Sequence, residues 1–514
     1  AGVVITKDPV DTYVPLSVND GQPVTQYTMV TLEELGLLKM DFLGLRNLTV
    51  IADAEKMIHR RSPDFRMDNV PLDDEATYQM LWKGSTMGVF QLESGGMTNV
   101  VMNLRPQSIE DITAVIALYR PGPMQYIPRY TECRHNPEKV TYKHPLLEPI
   151  LSVTYGCMVY QEQVMQVFQA LAGYSLGKAD MVRRAMSKKK FKELEKERIN
   201  FIHGNEELGI DGAVRRGVPA ETAAAIFDEI LDFANYGFNK SHAVCYALVA
   251  FRTAYLKCHY PREYMAALLT SVLDWAGKVS EYIAAARDMG IRVLPPDVNE
   301  SYDEFSVSDN AIRFGLSAIK NVGRGFMKQL VQERERGGKY RSFQDFCDRL
   351  GSYDLNRRAL DSLIKAGAFD SMGANRRQLL MVYPRVLDAA NASRRRNLEG
   401  QLDLFGMGNE EIWDAHIALP NVQEFPRRER LAMEKEVTGL YLSGHPMDEY
   451  RSLAAQSQAA KIRALIDDLT GENVENPVYR DGMKVRLAAV VTTVRLKTTR
   501  NGGMYVAYPE NWRD

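Results

Sequence analysis

Residues 177–190 read GKADMVRRAMSKKK, the densest run of positive charge in the chain. The spacing of its apolar and charged residues predicts a helix. On such a helix Arg183 and Lys190 share one face. Arg184 and Lys188 share the next one. Arginine forms bidentate hydrogen bonds with phosphate oxygens, and lysine adds positive charge. This surface is therefore suited to bind a phosphate group. A solvated helix surface explains the run equally well.

The chain around this run is predicted to be mainly helical. From residue 70 to residue 270, apolar residues recur at three- and four-residue spacing, as in the run 160–174. Residues 1–60 mix short β-rich runs with turns, and strand alternation returns near residue 483. A chain of 514 residues exceeds one ordinary core. We therefore expect a multidomain protein, mainly α with α+β parts.

Composition excludes several classes of protein. Hydrophobic residues make up 45% and charged residues 25%, with a net charge of -2, so any nucleic-acid surface must be a local patch. The five cysteines show no CxxC spacing, which predicts reduced thiols and a cytoplasmic location. No apolar run is long enough to suggest a membrane span. Because the chain opens with Ala1 inside a strand-like run, we expect it to be part of a larger protein.

Asp41 is the single acid of the otherwise largely apolar run 36–45. Burying a lone carboxylate is costly unless it pairs or binds a metal, and hard divalent ions take oxygen ligands. Lys39 would lie on the same side of a strand, where it balances the acid or reaches a triphosphate. A turn or helix-capping aspartate is the alternative interpretation.

The run 315–325, GLSAIKNVGRG, has the form of a helix–hairpin–helix. It predicts a short helix that ends at Val322-Gly323 and a second helix that begins at Arg324. Glycines permit close approach of the backbone to DNA, and the free N–H groups of the second helix bind a phosphate whatever the base sequence. A plain helical turn is the alternative. The candidate DNA contacts are Lys320, Val322, Gly323, Arg324 and Gly325.

A short apolar cluster, QLDLF at 401–405, lies in a polar, glycine-bounded stretch. Apolar side chains in such surroundings indicate a pocket on a partner protein, with Phe405 as the anchor. The candidate binding residues are Gln401, Leu402, Leu404 and Phe405.

Taken in order, these segments resemble the C family of bacterial DNA polymerases. The resemblance covers residue 1 to about residue 500. Other segments that carry it are 39–45, 88–97, 120–124, 160–163, 236–243 and 434–446. It implies the following parts: a partial polymerase palm over 1–60, helical fingers over 61–270, a helix–hairpin–helix and clamp-binding domain over 271–390, a linker with a clamp-binding peptide over 391–430, a connecting helical segment over 431–480, and a truncated OB-fold β-barrel over 481–514.

The resemblance also implies roles for single residues. Asp41 would be a catalytic ligand of Mg²⁺ and Lys39 a phosphate contact. Arg183 and Arg184 would grip the incoming triphosphate, with Lys188 supporting them or following the template. The run 401–405 would bind the sliding clamp. His242, in the segment 236–243, is compatible by its chemistry with either a general acid or a turn-positioning residue, and we favour the second.

The activity implied is template-directed addition of deoxynucleotides to a primer 3′ end in bacterial chromosome replication. The partners implied are primer–template DNA, deoxynucleoside triphosphates, the sliding clamp and other subunits of the replicative holoenzyme. The family's other two catalytic acids lie in an Asp-x-Asp motif, which this chain lacks. We therefore expect the first part of the palm to be absent and the chain alone to be inactive.

Two alternatives remain open, a lesion-bypass polymerase of the same family and a non-catalytic adaptor that joins DNA to the clamp. The run 401–405 favours the replicative branch. Asp41, Lys39 and the pair Arg183 and Arg184 separate a polymerase from an adaptor, since an adaptor needs no nucleotide site.

Overall fold

The computed structural model divides the chain into two compact units, residues 1–49 and residues 50–514. The residues it describes are 2–19, 21–42, 44–187, 191–234, 237–351, 353, 355–398, 417–460, 462–469, 478–499 and 502–510. Over these ranges, helices that combine the length and the apolar character needed to cross a membrane are absent.

The first unit is a small α+β assembly. Its elements are β1 (Gly2–Ile5), β2 (Leu16–Asn19), β3 (Gln22–Thr25), α1 (Met29–Glu34) and β4 (Leu38–Asp41). Strands β1 and β4 pair antiparallel, and β2 and β3 form a hairpin. The register of β1 and β4 sets Lys39 opposite Val4 and Asp41 opposite Gly2.

Helices dominate the chain from residue 46 to residue 259, as the apolar spacing predicts. They are α2 (Arg46–His59), α3 (Glu75–Trp82), α4 (Gly95–Leu104), α5 (Ile109–Leu118), α6 (Ile127–His135), α7 (Glu148–Leu151), α8 (Gln161–Ala172), α9 (Leu176–Ser187), α10 (Phe191–His203), α11 (Ala220–Ala234) and α12 (Lys240–His259). Several of these helices have an N-cap side chain that accepts a hydrogen bond from the backbone N–H of the residue three positions later. These N-caps are Asp74 for α3, Ser94 for α4, Ser108 for α5 and Asn239 for α12.

Two hydrophobic clusters hold these helices together. One is enclosed by α3 to α6 and by α12 from Ala243 to Ala254. The other is enclosed by α7 to α11, where Phe168 meets the rings of Phe201 and Phe227 edge-on at 5.1 and 6.0 Å. Val164 and Leu171 of α8 are buried in the same cluster, which confirms the helix predicted over 160–174.

A third cluster organises the chain from residue 261 to residue 398. Its elements are α13 (Pro261–Ser271), α14 (Ala276–Asp288), β5 (Arg292–Leu294), β6 (Ser306–Ser308), β7 (Ala311–Arg313), α15 (Arg324–Gly337), α16 (Phe343–Leu350), α17 (Arg357–Lys365) and α18 (Arg376–Leu398). The three strands form one sheet in the order β5-β7-β6, and Phe369 packs edge-on against Phe343 and Phe346. Helix α18 continues into the stretch predicted as a linker.

One helix predicted in this region is wrong. The structure has a single 3-10 turn at Leu316–Ala318, and the residues that follow it are not helical. Asn321 adopts a φ of 65°, a left-handed conformation that ends any helix. The hairpin is therefore longer than predicted, and it leads to α15 at the predicted Arg324.

The described elements after residue 417 are α19 (Arg427–Thr438), α20 (Arg451–Gln456), α21 (Ile462–Leu469), β8 (Val490–Thr499) and β9 (Gly502–Glu510). The strand predicted near residue 483 begins at Val490, and Leu487 before it forms only an isolated bridge with Ala460. Strands β8 and β9 pair antiparallel. Their pairing closes no barrel in the part of the chain that the structure describes.

Candidate nucleotide and nucleic-acid site

Helix α9 carries the two arginines predicted to grip a triphosphate. Arg183 donates to the Asp180 carboxylate from Nε and Nη2, at 3.0 and 2.8 Å, and Arg184 donates to it from Nε at 2.8 Å. The hydrogen bond and charge of Arg183, followed by those of Arg184, hold the pKa of Asp180 below its usual range, against the opposing effect of burial. One ionised carboxylate therefore orients both guanidinium groups.

The two arginines differ in exposure. The Arg183 side chain is 16% exposed, whereas that of Arg184 is 68% exposed. The opposite face of α9 is anchored in the second cluster by Ala179, Val182 and Met186. A ligand in solution therefore meets Arg184 first, while Arg183 is the more firmly placed of the two.

Segments far apart in the sequence meet at the N-terminus of α8. The backbone N–H of Gln161 donates to the carbonyl oxygen of Phe238 at 2.9 Å. The backbone N–H of Phe238 donates to the carbonyl oxygen of Val159 at 3.3 Å. The Glu162 carboxylate accepts the backbone N–H of Lys240 at 3.0 Å. The runs 160–163 and 236–243, which carry part of the family resemblance, are thus joined in one place.

An aromatic row extends from this junction along α12. Successive ring centroids of Phe238, His242, Tyr246 and Phe90 are 5.4, 4.2 and 5.1 Å apart. The guanidinium of Arg120 lies 3.6 Å from the centroid of Phe238 and closes one end of the row. The four-residue spacing of His242 and Tyr246 on α12, with Phe238 four residues before His242, was the signal that could have predicted the row. His242 packs inside it as a ring.

The loop that precedes α4 is held by a buried lysine. Lys257 of α12 is 2% exposed, and its Nζ donates to the carbonyl oxygens of Ser85 and Met87 at 2.9 and 2.8 Å. Burial lowers the pKa of Lys257 to about 8. The Tyr264 hydroxyl donates to the carbonyl oxygen of Gly88 at 2.6 Å. Nothing in the local sequence marks Lys257, because its partners lie about 170 positions earlier.

The start of α15 is open to a ligand. Gly323 precedes the helix, and no side chain of the described residues caps it. A Cβ added at Gly323 or Gly325 would meet no heavy atom within 4 Å among the described residues. Arg324 stays 61% exposed while it donates to both carboxylate oxygens of Asp274, at 2.8 and 2.7 Å. The first turn of α15 thus combines an uncapped start with an exposed arginine.

Two other predicted DNA contacts have partners inside the chain. The backbone N–H of Lys320 donates to the carbonyl oxygen of Val437 at 2.8 Å. Its Nζ donates to the carbonyl oxygen of Glu436 at 2.9 Å. Val322 is buried in the third cluster. Lys320 therefore ties the hairpin to the C-terminal end of α19.

In the first unit, Lys39 and Asp41 lie two residues apart on β4. Carboxylate is the ligand type that Mg²⁺ prefers, but this pair supplies a single one. Across the described residues, no three His, Cys, Asp or Glu side chains are grouped as metal ligands. The residues present thus fit one ligand of a magnesium site rather than a complete site.

The remaining predicted residues lie outside the described residues. They are Lys188, Gln401, Leu402, Leu404 and Phe405. The chain on the C-terminal side of the predicted clamp peptide is held in place, because the backbone N–H of Ile417 donates to the Gln344 side chain at 3.2 Å. Asn375 at the start of α18 donates to the carbonyl oxygen of Val422 at 2.9 Å.

Family models match three parts of the chain. Residues 47–209 match the finger domain of the bacterial DNA polymerase III alpha subunit. Residues 1–44 match the bacterial DNA polymerase III alpha NTPase domain. Residues 290–379 match a helix-hairpin-helix motif, which confirms the motif predicted at 315–325. Together these models combine the finger and NTPase domains of bacterial DNA polymerase III alpha subunits with a helix-hairpin-helix motif.

Curated relatives extend the match over nearly the whole chain. DNA polymerase III subunit alpha of Thermus aquaticus is 45% identical over 99% of this chain and 40% of its own length. The subunits of Borreliella burgdorferi and Mycobacterium tuberculosis are 43% and 41% identical, over 99% and 97% of this chain and 43% and 42% of their own lengths. The chain thus spans about two fifths of the length of these relatives.

The chain belongs to the bacterial DNA polymerase III alpha-subunit family. The resemblance predicted from the ordered sequence segments is confirmed.

Proposed function

We propose that this chain is the nucleotide-gripping and DNA-holding part of a replicative DNA polymerase that adds deoxynucleotides to a primer 3′ end. The observation that carries the proposal is that the two family segments 160–163 and 236–243 and the two arginines proposed to bind nucleotide are grouped around α8. Its N-terminus joins the 236–243 segment, and α9 with Arg183 and Arg184 packs along it. Phosphoryl transfer depends mostly on positioning and on charge stabilisation, which such a frame provides.

In this proposal Arg184 and Arg183 bind the triphosphate of the incoming nucleotide. Guanidinium groups form paired hydrogen bonds to phosphate oxygens, and two of them on one helix face can engage neighbouring phosphates. Asp180 pairs with both arginines and would orient them before the nucleotide arrives. Lys188 would add charge to the same side of the triphosphate, and Lys39 would contact a phosphate from the palm.

Primer–template DNA would bind at the hairpin through Gly323, Arg324 and Gly325. The exposed helix start of α15 offers N–H donors to one backbone phosphate, and Arg324 adds a positive charge. Lys320 and Val322 contribute to this site by fixing the hairpin. Contacts of this kind carry no sequence information, as a polymerase that copies any template requires.

Asp41 would supply one carboxylate ligand to Mg²⁺, which in a polymerase activates the primer hydroxyl and stabilises the leaving phosphate. The chain contains no Asp-x-Asp pair to complete a two-metal site. Residues 1–60 are proposed as part of the palm, and residues 481–514, with β8 and β9, as part of an OB-fold.

The run 401–405 is proposed to bind the sliding clamp, with Phe405 and Leu404 entering an apolar pocket and Gln401 bonding at its rim. Other subunits of the replicative holoenzyme are proposed partners of the longer protein. This peptide is the feature that favours the replicative branch over a lesion-bypass polymerase.

The nucleotide proposal is tested by calorimetric titration of a deoxynucleoside triphosphate, with magnesium, into the chain bound to primer–template DNA. Arg184→Ala should weaken binding by about ten-fold or more, since a charge-assisted contact to phosphate is lost. The matched control is Arg215→Ala, which removes an equally exposed arginine that pairs with Glu206. Equal loss in both variants, or no triphosphate binding by the unsubstituted chain, would contradict the proposal.

The clamp proposal is tested separately by measuring the affinity of the chain for a bacterial sliding clamp. The triple substitution Gln401→Ala, Leu404→Ala and Phe405→Ala should abolish binding. As a control, the pair Leu453→Ala and Tyr450→Ala removes two exposed apolar side chains elsewhere and should leave the affinity unchanged. Binding that survives the triple substitution would shift the choice toward a lesion-bypass relative.

A further inference from the structure

A cavity of about 130 Å³ lies between helices α6, α8 and α11. Its floor is formed by the buried apolar side chains of Leu151, Met158, Val167 and Ile226. A smaller cavity of about 20 Å³ shares Arg129, Met158 and Glu229 with it. An apolar cavity of about 150 Å³ accepts a benzene ring in a well-studied protein, so this one accommodates a ligand of one small ring with a short head group.

The polar part of the cavity lining carries an excess positive charge. Lys143 and Glu229 neutralise each other, with Nζ 2.6 Å from the carboxylate oxygen. Arg129 lines both cavities. Within the described part of the chain, no hydrogen bond or ion pair engages its guanidinium. A charge of this kind at the edge of an apolar floor favours an anion over a neutral ligand.

The wall of the cavity is held in place by a buried glutamine. Gln163 accepts the backbone N–H groups of Val159 and Tyr160 at 2.9 and 3.0 Å. It donates to the Thr154 hydroxyl at 2.8 Å and to the carbonyl oxygen of Ile150 at 3.2 Å. The segment that contributes Leu151 and Met158 is thereby ordered without a ligand, as expected for a preformed small-molecule site.

We propose that this cavity is a binding site for a small organic carboxylate, with an aromatic or branched apolar body on the floor and the carboxylate on Arg129. Inorganic phosphate would leave the apolar floor uncovered, and a neutral hydrocarbon would leave Arg129 without a partner. None of the residues that line the cavity is among those proposed to bind nucleotide or DNA, and the proposal does not rest on polymerase activity.

The test uses the full chain, 4-fluorobenzoate as the probe and its neutral isostere 4-fluorobenzamide, with binding followed by fluorine NMR line broadening. The benzoate should bind with a Kd of about 1 mM or tighter, which is ordinary for a ligand of this size. The benzamide should bind at least about five-fold more weakly. Arg129→Gln should remove that difference, whereas the control Arg215→Gln, at an exposed arginine outside the cavity, should preserve it.

Filling the cavity provides a second variant. Ile226→Trp should abolish binding of both probes, provided that circular dichroism shows a native helix content. Because Arg129 is exposed, Arg129→Gln is expected to fold normally, so the test stands even where Ile226→Trp does not fold. Equal affinity for benzoate and benzamide, an unaltered affinity in Arg129→Gln, or no binding by the unsubstituted chain would overturn the proposal.

Discussion

The ammonium group of Lys320 lies 2.9 Å from the carbonyl oxygen of Glu436, at the C-terminal end of α19. A lysine beside a DNA-binding hairpin is an obvious candidate for a phosphate contact, yet this one already has an acceptor within the chain. Cations are favourable at a helix C-terminus because the last carbonyl groups carry partial negative charge. Lys320 thus links the hairpin to α19, whereas Arg324, which is 61% exposed and pairs with the exposed Asp274, is the cation that we propose for DNA binding.

This assignment predicts that substitutions of Arg324 and Lys320 affect different properties, DNA binding for the first and stability for the second. Arg324→Ala should weaken DNA binding and reduce the slope of log affinity against log salt by about one, the loss expected for a single phosphate contact. Lys320→Met should leave that slope unchanged and lower the free energy of unfolding by about 0.5–1 kcal/mol. DNA titrations at several salt concentrations and urea unfolding check the pair. A reduced salt slope in Lys320→Met would show that the lysine leaves Glu436 to bind DNA.

In the proposed nucleotide site, Asp180 would compete with a triphosphate for the two arginines of α9. Because Arg183 lowers the pKa of this carboxyl, Asp180 stays ionised at neutral pH. Asp180→Asn removes the competing charge and should tighten triphosphate binding by about two- to five-fold at low salt, in line with the value of exposed ion pairs. Isothermal titration measures the change. Weaker binding would instead mean that holding the arginines in place matters more than freeing them.

The pH dependence of stability should reveal the buried Lys257. Burial lowers its pKa to about 8 in the folded chain, while the unfolded value is 10.5. Between these pH values the unfolded state binds a proton that the folded state does not, so stability gains with rising pH. The stability of the native chain relative to Lys257→Met should therefore increase from pH 8 toward pH 10. Denaturant unfolding at matched pH values tests this, and a difference independent of pH would contradict it.

The same substitution has a second consequence at neutral pH. Lys257→Met leaves the carbonyl oxygens of Ser85 and Met87 without their buried donor, which should cost about 2–3 kcal/mol of unfolding free energy. The comparison is Lys56→Met, whose lysine is an exposed partner of Asp53 on the helix surface. A similar loss in both variants would show that the buried hydrogen bonds contribute little.

A buried ion pair holds α19 against α18. Arg376 is 2% exposed and Glu434 is 0% exposed, with Nη2 and Oε1 at 3.0 Å. Glu434 also accepts the backbone N–H groups of Leu442 and Ser443. Glu434→Gln removes the negative charge that faces the buried guanidinium of Arg376. The substitution should therefore lower the free energy of unfolding by about 3 kcal/mol.

The control for this pair is an exposed one. The side chains of Arg357 and Asp388 are 60% and 62% exposed, and the Arg357 Nη2 lies 2.8 Å from the Asp388 carboxylate. Asp388→Asn should therefore lower the free energy of unfolding by less than about 1 kcal/mol. Urea unfolding of both variants gives the comparison. If Glu434→Gln proved as mild as Asp388→Asn, the buried pair would not be what joins these helices.

Local periodicity was sufficient to predict α8 and the start of α15. The stripe that includes Val164 and Leu171 is buried as its spacing predicts, because a helix brings residues three and four apart to one face. The hairpin before α15 was less predictable: residues 319–323 contain apolar side chains at spacing compatible with a helix, and Asn321 breaks the helix through its backbone conformation. The strand predicted near residue 483 begins only at Val490. Alternation of apolar residues does not indicate where the partner strand begins, and the pairing sets the start of the strand.

The order of segments in the sequence by itself determined the family, the helical character of the chain and the positions of Arg183, Arg184 and Arg324. Only the tertiary structure decided which charged groups are free to bind a ligand. The acceptor of Lys320 lies 116 residues away in the sequence, and the acceptors of Lys257 lie 172 and 170 residues away. No local sequence pattern predicts either contact. The physical reason is that a hydrogen bond depends on distance in space, and burial then determines which unpaired charges the fold can tolerate.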